Sequence, residues 1–161
     1  MAGVLVIGYG NPLRGDDGFG WHAARSLCQD EAGSILEVIA CHQLTPELAE
    51  PMSRAQLVIF IDAELGEVPG QLSCQAVEPQ LGFTASLSHQ LDPPTLLAWA
   101  QSLYGTCPPA VLLCVTGQSF AHEEELSPAM RAALPAVQAK VHELVTPVIQ
   151  AGKIAEGKQH A

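Results

Sequence analysis

Positive charge is what this sequence has least of. Seven Lys and Arg stand against 17 Asp and Glu, a formal net charge of −10. No basic patch of useful size can be assembled from so few, and repulsion excludes a nucleic-acid or anionic-membrane partner. A neutral or basic peptide, or a metal ion, suits such a surface better. Long apolar runs are missing too: nowhere do 18 apolar residues follow one another, and the N-terminal run at 4–7 has no basic stretch before it. Neither a membrane span nor a signal peptide is expected. The five cysteines, Cys28, Cys41, Cys74, Cys107 and Cys114, are odd in number and include no C-x-x-C pair. That is the pattern of reduced thiols in a cytoplasmic protein, not of a disulfide framework. With 15% charged and 48% apolar residues, no internal repeat and no long polar tract, the chain is neither disordered, collagen-like nor coiled coil.

What is present is the raw material of one packed domain, since 161 residues lie within the usual span of about 100 to 200 for a single core. Three continuous apolar runs, at 4–7, 57–61 and 110–115, read as strands buried on both faces. Residues 34–40 alternate like a strand, and 71–77 form a weaker, half-polar one suited to a sheet edge. Between them, 17–29 carries Phe19, Ala23, Ala24, Leu27 and Cys28 at helical spacing, and 46–52 predicts a short helix limited by Pro51. Asp92 before Pro93 and Pro94 starts a helix running to about Leu103, and Ser127 before Pro128 starts a last one to about Ile149, irregular at Pro135 and Pro147. Strands alternating with helices predict a three-layer α/β sandwich, with a twisted, mainly parallel sheet of about five strands and helices on both faces. The domain is expected over 1–150, and the small, polar stretch 151–161 reads as a flexible tail. In such sheets working residues gather at the carboxyl ends of the strands.

The segment Gly8-Tyr-Gly-Asn-Pro-Leu-Arg-Gly-Asp-Asp-Gly-Phe-Gly20 follows the first strand. A dinucleotide fingerprint would need glycine where Leu13 stands, and a phosphate loop would need a lysine, of which there is none before Lys140. Asp16 and Asp17 also put negative charge where a phosphate would lie. One aspartate suffices to cap the following helix. A second beside it adds repulsion, and the reason for it is a metal ion or a pair of carboxylates sharing a proton.

This segment resembles the opening signature of the [NiFe]-hydrogenase maturation proteases, endopeptidases that trim a C-terminal extension from the hydrogenase large-subunit precursor after nickel insertion. Asp62 at the end of the 57–61 run, and Ser88-His89-Gln90 before the Asp92 helix, stand where that family has its second acid and its histidine. The resemblance spans roughly 4–149 and implies a phosphorylase/hydrolase-like fold. It further implies a metal cleft formed by Asp17, Asp62 and His89, with Asp17 one methylene shorter than the glutamate of many members. Gly10, Asn11 and Asp16 would support the loop. Residues 41–48, Cys-His-Gln-Leu-Thr-Pro-Glu-Leu, resemble the branch serving NAD(P)-linked bidirectional hydrogenases, which makes His42, Gln43 and Thr45 the expected substrate-binding residues.

The implied partner is the large-subunit precursor, met by a cytoplasmic monomer. The implied metal is nickel supplied by that precursor, with zinc or cadmium as possible occupants of the same ligands. Several mechanisms remain open. Asp17 or Asp62 acts as general base on a water with nickel as recognition element, or the protein is a self-sufficient metallopeptidase, or the two aspartates form a dyad. A non-catalytic nickel-dependent docking or chaperone module is the alternative outside enzymology. No H-E-x-x-H helix is present, and Gly117-Gln-Ser-Phe-Ala121 breaks the serine-nucleophile elbow at its last position.

Overall fold

The computed structural model describes residues 3–29, 35–81 and 91–159. Its five strands, β1 (Val4–Tyr9), β2 (Leu36–Cys41), β3 (Leu57–Glu64), β4 (Leu72–Ala76) and β5 (Ala110–Thr116), form one sheet in the order β2-β1-β3-β5-β4. All neighbours pair in parallel except β4, which runs antiparallel to β5 at the edge. The half-polar 71–77 segment sits at an edge for a physical reason: its outer residues Cys74, Gln75 and Ala76 are exposed, and only an edge strand leaves them so. The apolar runs of β1 and β3 occupy the centre, where both faces are covered.

Alternate side chains of these central strands divide into two cores. Val4, Val6, Ile59, Ile61, Leu113 and Val115 pack against helices α1 (Phe19–Gln29) and α4 (Pro128–Gln159). Leu5, Ile7, Val58 and Phe60 pack against α2 (Ala49–Ser53) and α3 (Pro93–Tyr104). The faces follow from chain direction. The step from β1 to β2 moves one way across the sheet, the crossovers from β2 to β3 and from β3 to the parallel β5 move the other way, and right-handed crossovers then require helices on opposite faces. The direction reverses between β1 and β3, so their carboxyl ends open a crevice there.

The helix starts follow the sequence chemistry. Asp92 caps α3, its Oδ1 accepting from the Thr95 N–H at 2.9 Å, with Pro93 and Pro94 in the first turn and Gly105 closing the helix at φ +74°. The 46–52 helix is a 3-10 turn, Pro46–Leu48, running into α2. At the other end the sequence reading falls short: α4 continues to Gln159, past Ile149 and through Pro135 and Pro147. Its buried face, Met130, Ala133, Val137, Val141 and Val145, holds the helix on the sheet, and tertiary packing of this kind overrides local helix breakers.

Close packing of α1 on the sheet depends on Gly20, where a Cβ would press on the carbonyl oxygens of Ile61 and Tyr9. We expect Gly20→Ala to cost about 1–3 kcal/mol through overpacking. Gly152→Ala in α4, with nothing near its added methyl, should instead gain up to about 1 kcal/mol from helix propensity. Urea midpoints of the two variants check the contrast.

Candidate active site

The two adjacent aspartates of the first loop part company in space. Asp16 is fully buried. Its Oδ2 accepts from the Gln118 N–H at 2.7 Å, the Ser119 N–H at 2.9 Å and the Ser127 hydroxyl at 2.8 Å. Its Oδ1 accepts from the Ser127 N–H at 2.7 Å. One carboxylate thereby ties the loop after β1 to the loop after β5 and to the start of α4. Burial pushes its pKa up, but the donors of Ser127, Ser119 and Gln118 outweigh burial and hold the carboxyl below its ordinary value. Ser119 belongs to this clasp and is absent from the described cleft-lining residues.

Asp17 takes the other direction. Its Oδ2 accepts from the Asn11 N–H at 3.1 Å, while the Asn11 side chain accepts from the Leu13 N–H at 2.9 Å and closes a tight turn. The turn passes so near the Asp17 backbone that Gly10, at φ +147°, has no room for a Cβ. Gly10, Asn11 and Asp16 are thus supporting residues in a literal sense: the first two shape the turn that carries Asp17, and the third anchors it.

Asp62 comes from β3. Sequence reading puts it at the tip of the strand, yet β3 continues to Glu64, because β5 pairs with it as far as Thr116. The alternation that buries Val58 and Phe60 toward α2 and α3 brings Asp62 to the same face. One step beyond the last paired register of Gly8 with Ile61, Tyr9 comes level with it. The Tyr9 phenol stands close enough to the Asp62 carboxylate to stabilise its charge, and Asp62 Oδ1 accepts from the Ala63 N–H at 2.7 Å. Burial is the main reason the Asp62 pKa is pushed up to about 6, with the charges of Asp17 and Glu64 adding to it and the two donors offsetting part. Burial, then the neighbouring Asp62 charge, drives the Tyr9 hydroxyl far above its ordinary range, so it stays a proton-bearing donor.

Asp17 and Asp62 meet in a cleft of about 280 Å³ at the β1/β3 crevice. Its other walls are Tyr9 at the end of β1, Gly10, Asn11 and Arg14 from the first loop, His42, Gln43 and Leu44 after β2, and Leu91. Of the expected substrate loop, His42 and Gln43 line the cleft. Thr45 does not; it precedes the Pro46–Leu48 turn, where its carbonyl accepts from the Leu48 N–H at 3.1 Å. Trp21 stands edge-on to His42, centroids 6.4 Å apart, and supports that imidazole from α1. Among the described residues no group of three His, Cys, Asp or Glu could hold a metal ion. The expected third ligand, His89, and its neighbours Ser88 and Gln90 lie outside the described residues.

Cysteine chemistry has no support at this cleft. Cys114, paired with Asp62 across the β3–β5 ladder, is pushed up to about 12 by burial and by the Asp62 and Glu64 charges, and burial also raises Cys41 and Cys107. Two cleft residues with polar side chains lie outside the set the sequence points to, Tyr9 and Arg14. Register arithmetic could have found Tyr9, since it ends the strand beside the one bearing Asp62; Arg14 carries no signal apart from lying inside the motif.

No protein-family model matches the chain, and no curated protein does. Solved structures do. A hydrogenase 2 maturation peptidase from Thaumarchaeota archaeon SCGC_AB-539-E09 aligns with a TM-score of 0.69 at 28% identity, over 89% of this chain and 98% of that one. The [NiFe] hydrogenase maturation protease HycI from Thermococcus kodakarensis KOD1 gives 0.73 at 21% identity, over 90% and 93%. The hydrogenase maturating endopeptidase HybD from E. coli gives 0.64 at 23% identity, over 88% and 93%. The five-stranded, mostly parallel α/β fold is shared along nearly the full length of each.

Removing the buried Asp16 carboxylate leaves three partly buried N–H groups without their acceptor, and Asp16→Ala should destabilise the protein by about 2–4 kcal/mol. The native carboxyl is held below its ordinary value of 3.8, so its contribution is complete above that pH and is lost as pH falls through the lower native value. Urea unfolding as a function of pH should therefore show a wild-type loss on acidification that Asp16→Ala lacks.

Proposed function

We propose that this protein is a hydrogenase maturation endopeptidase that removes the C-terminal extension of a [NiFe]-hydrogenase large-subunit precursor after nickel insertion. The observation that carries the reading is the convergence of Asp17 and Asp62 on one cleft at the β1/β3 crevice, in a fold shared with maturation peptidases. The anionic chain, at net −10, suits a peptide or cationic substrate and no polyanion.

In this reading the nickel arrives with the precursor and docks against Asp17 and Asp62, with His89 as the third ligand. Carboxylates and an imidazole suit a borderline divalent ion, and zinc or cadmium would compete for the same donors. Only loaded precursor is then seated with its scissile bond in the cleft, and processing tests metal insertion. Asp62, with Tyr9 holding its carboxylate, is the general base for the attacking water. His42 and Gln43 contact the peptide, and the 41–48 segment that bears them directs the enzyme to the NAD(P)-linked bidirectional type of hydrogenase. The work is done by a cytoplasmic monomer; no described helix is long and apolar enough to cross a membrane.

Intact-mass spectrometry of precursor incubated with the protein, with and without nickel, tests the proposal. Loss of a C-terminal peptide is expected only with nickel, and Asp17→Asn and Asp62→Asn should each lower kcat by about 10²–10⁴-fold. Unchanged precursor mass with nickel-dependent binding intact would replace the enzyme by a docking module. A base must be ionised to act, so kcat/KM should rise with pH through the Asp62 value of about 6, and a rate profile from pH 4 to 8 would show that limb.

A further inference from the structure

One cleft residue has no part in the reading so far. Arg14 lines the same cavity as Asp17 and Asp62 and is the only Arg or Lys among its described walls. The described ion pairs are Arg54 with Glu50, Arg131 with Glu125 and Lys140 with Glu143; Arg14 is in none of them. Its guanidinium makes no described side-chain hydrogen bond either, although two carboxylates share its cleft. The root of the side chain is nevertheless fixed. The Arg14 N–H donates to the Asn11 carbonyl at 3.1 Å, and the Arg14 carbonyl accepts from the Asp17 N–H at 3.1 Å. The next residue, Gly15 at φ +56°, donates from its N–H to the Glu123 carbonyl at 2.7 Å. A tethered, exposed cation that neither neutralises the neighbouring acids nor braces the fold is available to a ligand.

Hydrolysis of a peptide bond needs that group. Attack from one side puts negative charge on the carbonyl oxygen at the other, and preorganised donors aimed at that oxygen are commonly the largest single contribution to such catalysis. A guanidinium suits the task because it stays charged at every working pH and presents planar N–H donors.

We propose that Arg14 is a catalytic residue whose guanidinium binds the scissile carbonyl oxygen and stabilises the oxyanion formed on it; this rests on the endopeptidase reading above. Water adds its oxygen to the carbonyl carbon while a cleft carboxylate takes the departing proton. The carbonyl π pair moves onto the oxygen held by Arg14. On collapse the C=O bond re-forms, the C–N bond breaks, and the amine leaves with the proton returned by the carboxylate.

The test is single-turnover and steady-state cleavage of nickel-loaded precursor by wild type, Arg14→Gln, Arg14→Ala and Arg14→Lys. Circular dichroism melts should be unchanged, since the side chain is exposed and unbonded. Arg14→Gln is expected to lose about 10²–10³-fold in kcat with KM nearly unchanged. Arg14→Lys should retain part of the rate, and millimolar guanidinium ion should rescue Arg14→Ala but not Asp17→Asn. Wild-type cleavage with an equally active Arg14→Gln overturns the assignment, as does a rise in KM alone, which would make Arg14 a ground-state binding group. If the wild type itself leaves loaded precursor intact, the endopeptidase reading fails and the role of Arg14 falls with it.

Discussion

The buried carboxylate of Asp16 is the interaction on which the site depends. A charge removed from water is tolerated only when its lone pairs are filled, and here backbone N–H groups of Gln118, Ser119 and Ser127 and the Ser127 hydroxyl fill them. All of those donors come from the far side of the crevice, in the loop after β5 and at the start of α4. The bond set therefore does more than satisfy Asp16. It sets where the first loop lies across the ends of the central strands, and so where the next residue, Asp17, emerges.

The consecutive acids divide their labour by burial. Asp16 is spent on structure, with its carboxyl held acidic by donors, and is absent from the cleft walls. Asp17 faces the cleft, where its charge reaches Asp62 and helps keep that pKa high. The repulsion between neighbouring acids is relieved by sending them to opposite sides of a 3-10 turn, Gly15–Gly18. The turn itself is permitted by Gly10 and Gly15, which take φ values of +147° and +56°.

The cleft sits where sheet topology leaves room for one. Chain direction reverses between β1 and β3, helices diverge to opposite faces, and the loops after these strands part. Into that opening the fold brings the Asp62 carboxylate beside the Tyr9 phenol, a second carboxylate on a braced loop, an imidazole backed by Trp21, and Arg14, which has no ion-pair partner among the described residues. Acids on one strand and loop with a cation beside them is a distribution suited to moving a proton while charge builds on a carbonyl oxygen.

Much of this could be read before any coordinates. Buried strands, their alternation with helices, the polar edge strand and the Asp92 cap are local chemistry, and the pattern of apolar residues alone specifies them. Motif resemblance points to Asp17 and Asp62, and both line the same cleft. Other features needed three dimensions. The extension of α4 to Gln159 follows from a buried face that outweighs Pro135 and Pro147. The extra length of β3 beyond Asp62 comes from pairing with β5, and Thr45, which opens the Pro46–Leu48 turn, does not line the cleft with His42 and Gln43. The roles of Asp16, Tyr9 and Arg14 rest on partners 102, 103 and 111 residues away, on strand register, and on the lack of a described partner, respectively. The sequence by itself determined the elements, because propensity and periodicity act over a few residues, and its motif resemblance pointed to the candidate acids. Only the tertiary structure decided which acid is structural and which faces the cleft, because burial and hydrogen-bond supply are set by chain segments that sequence order keeps far apart.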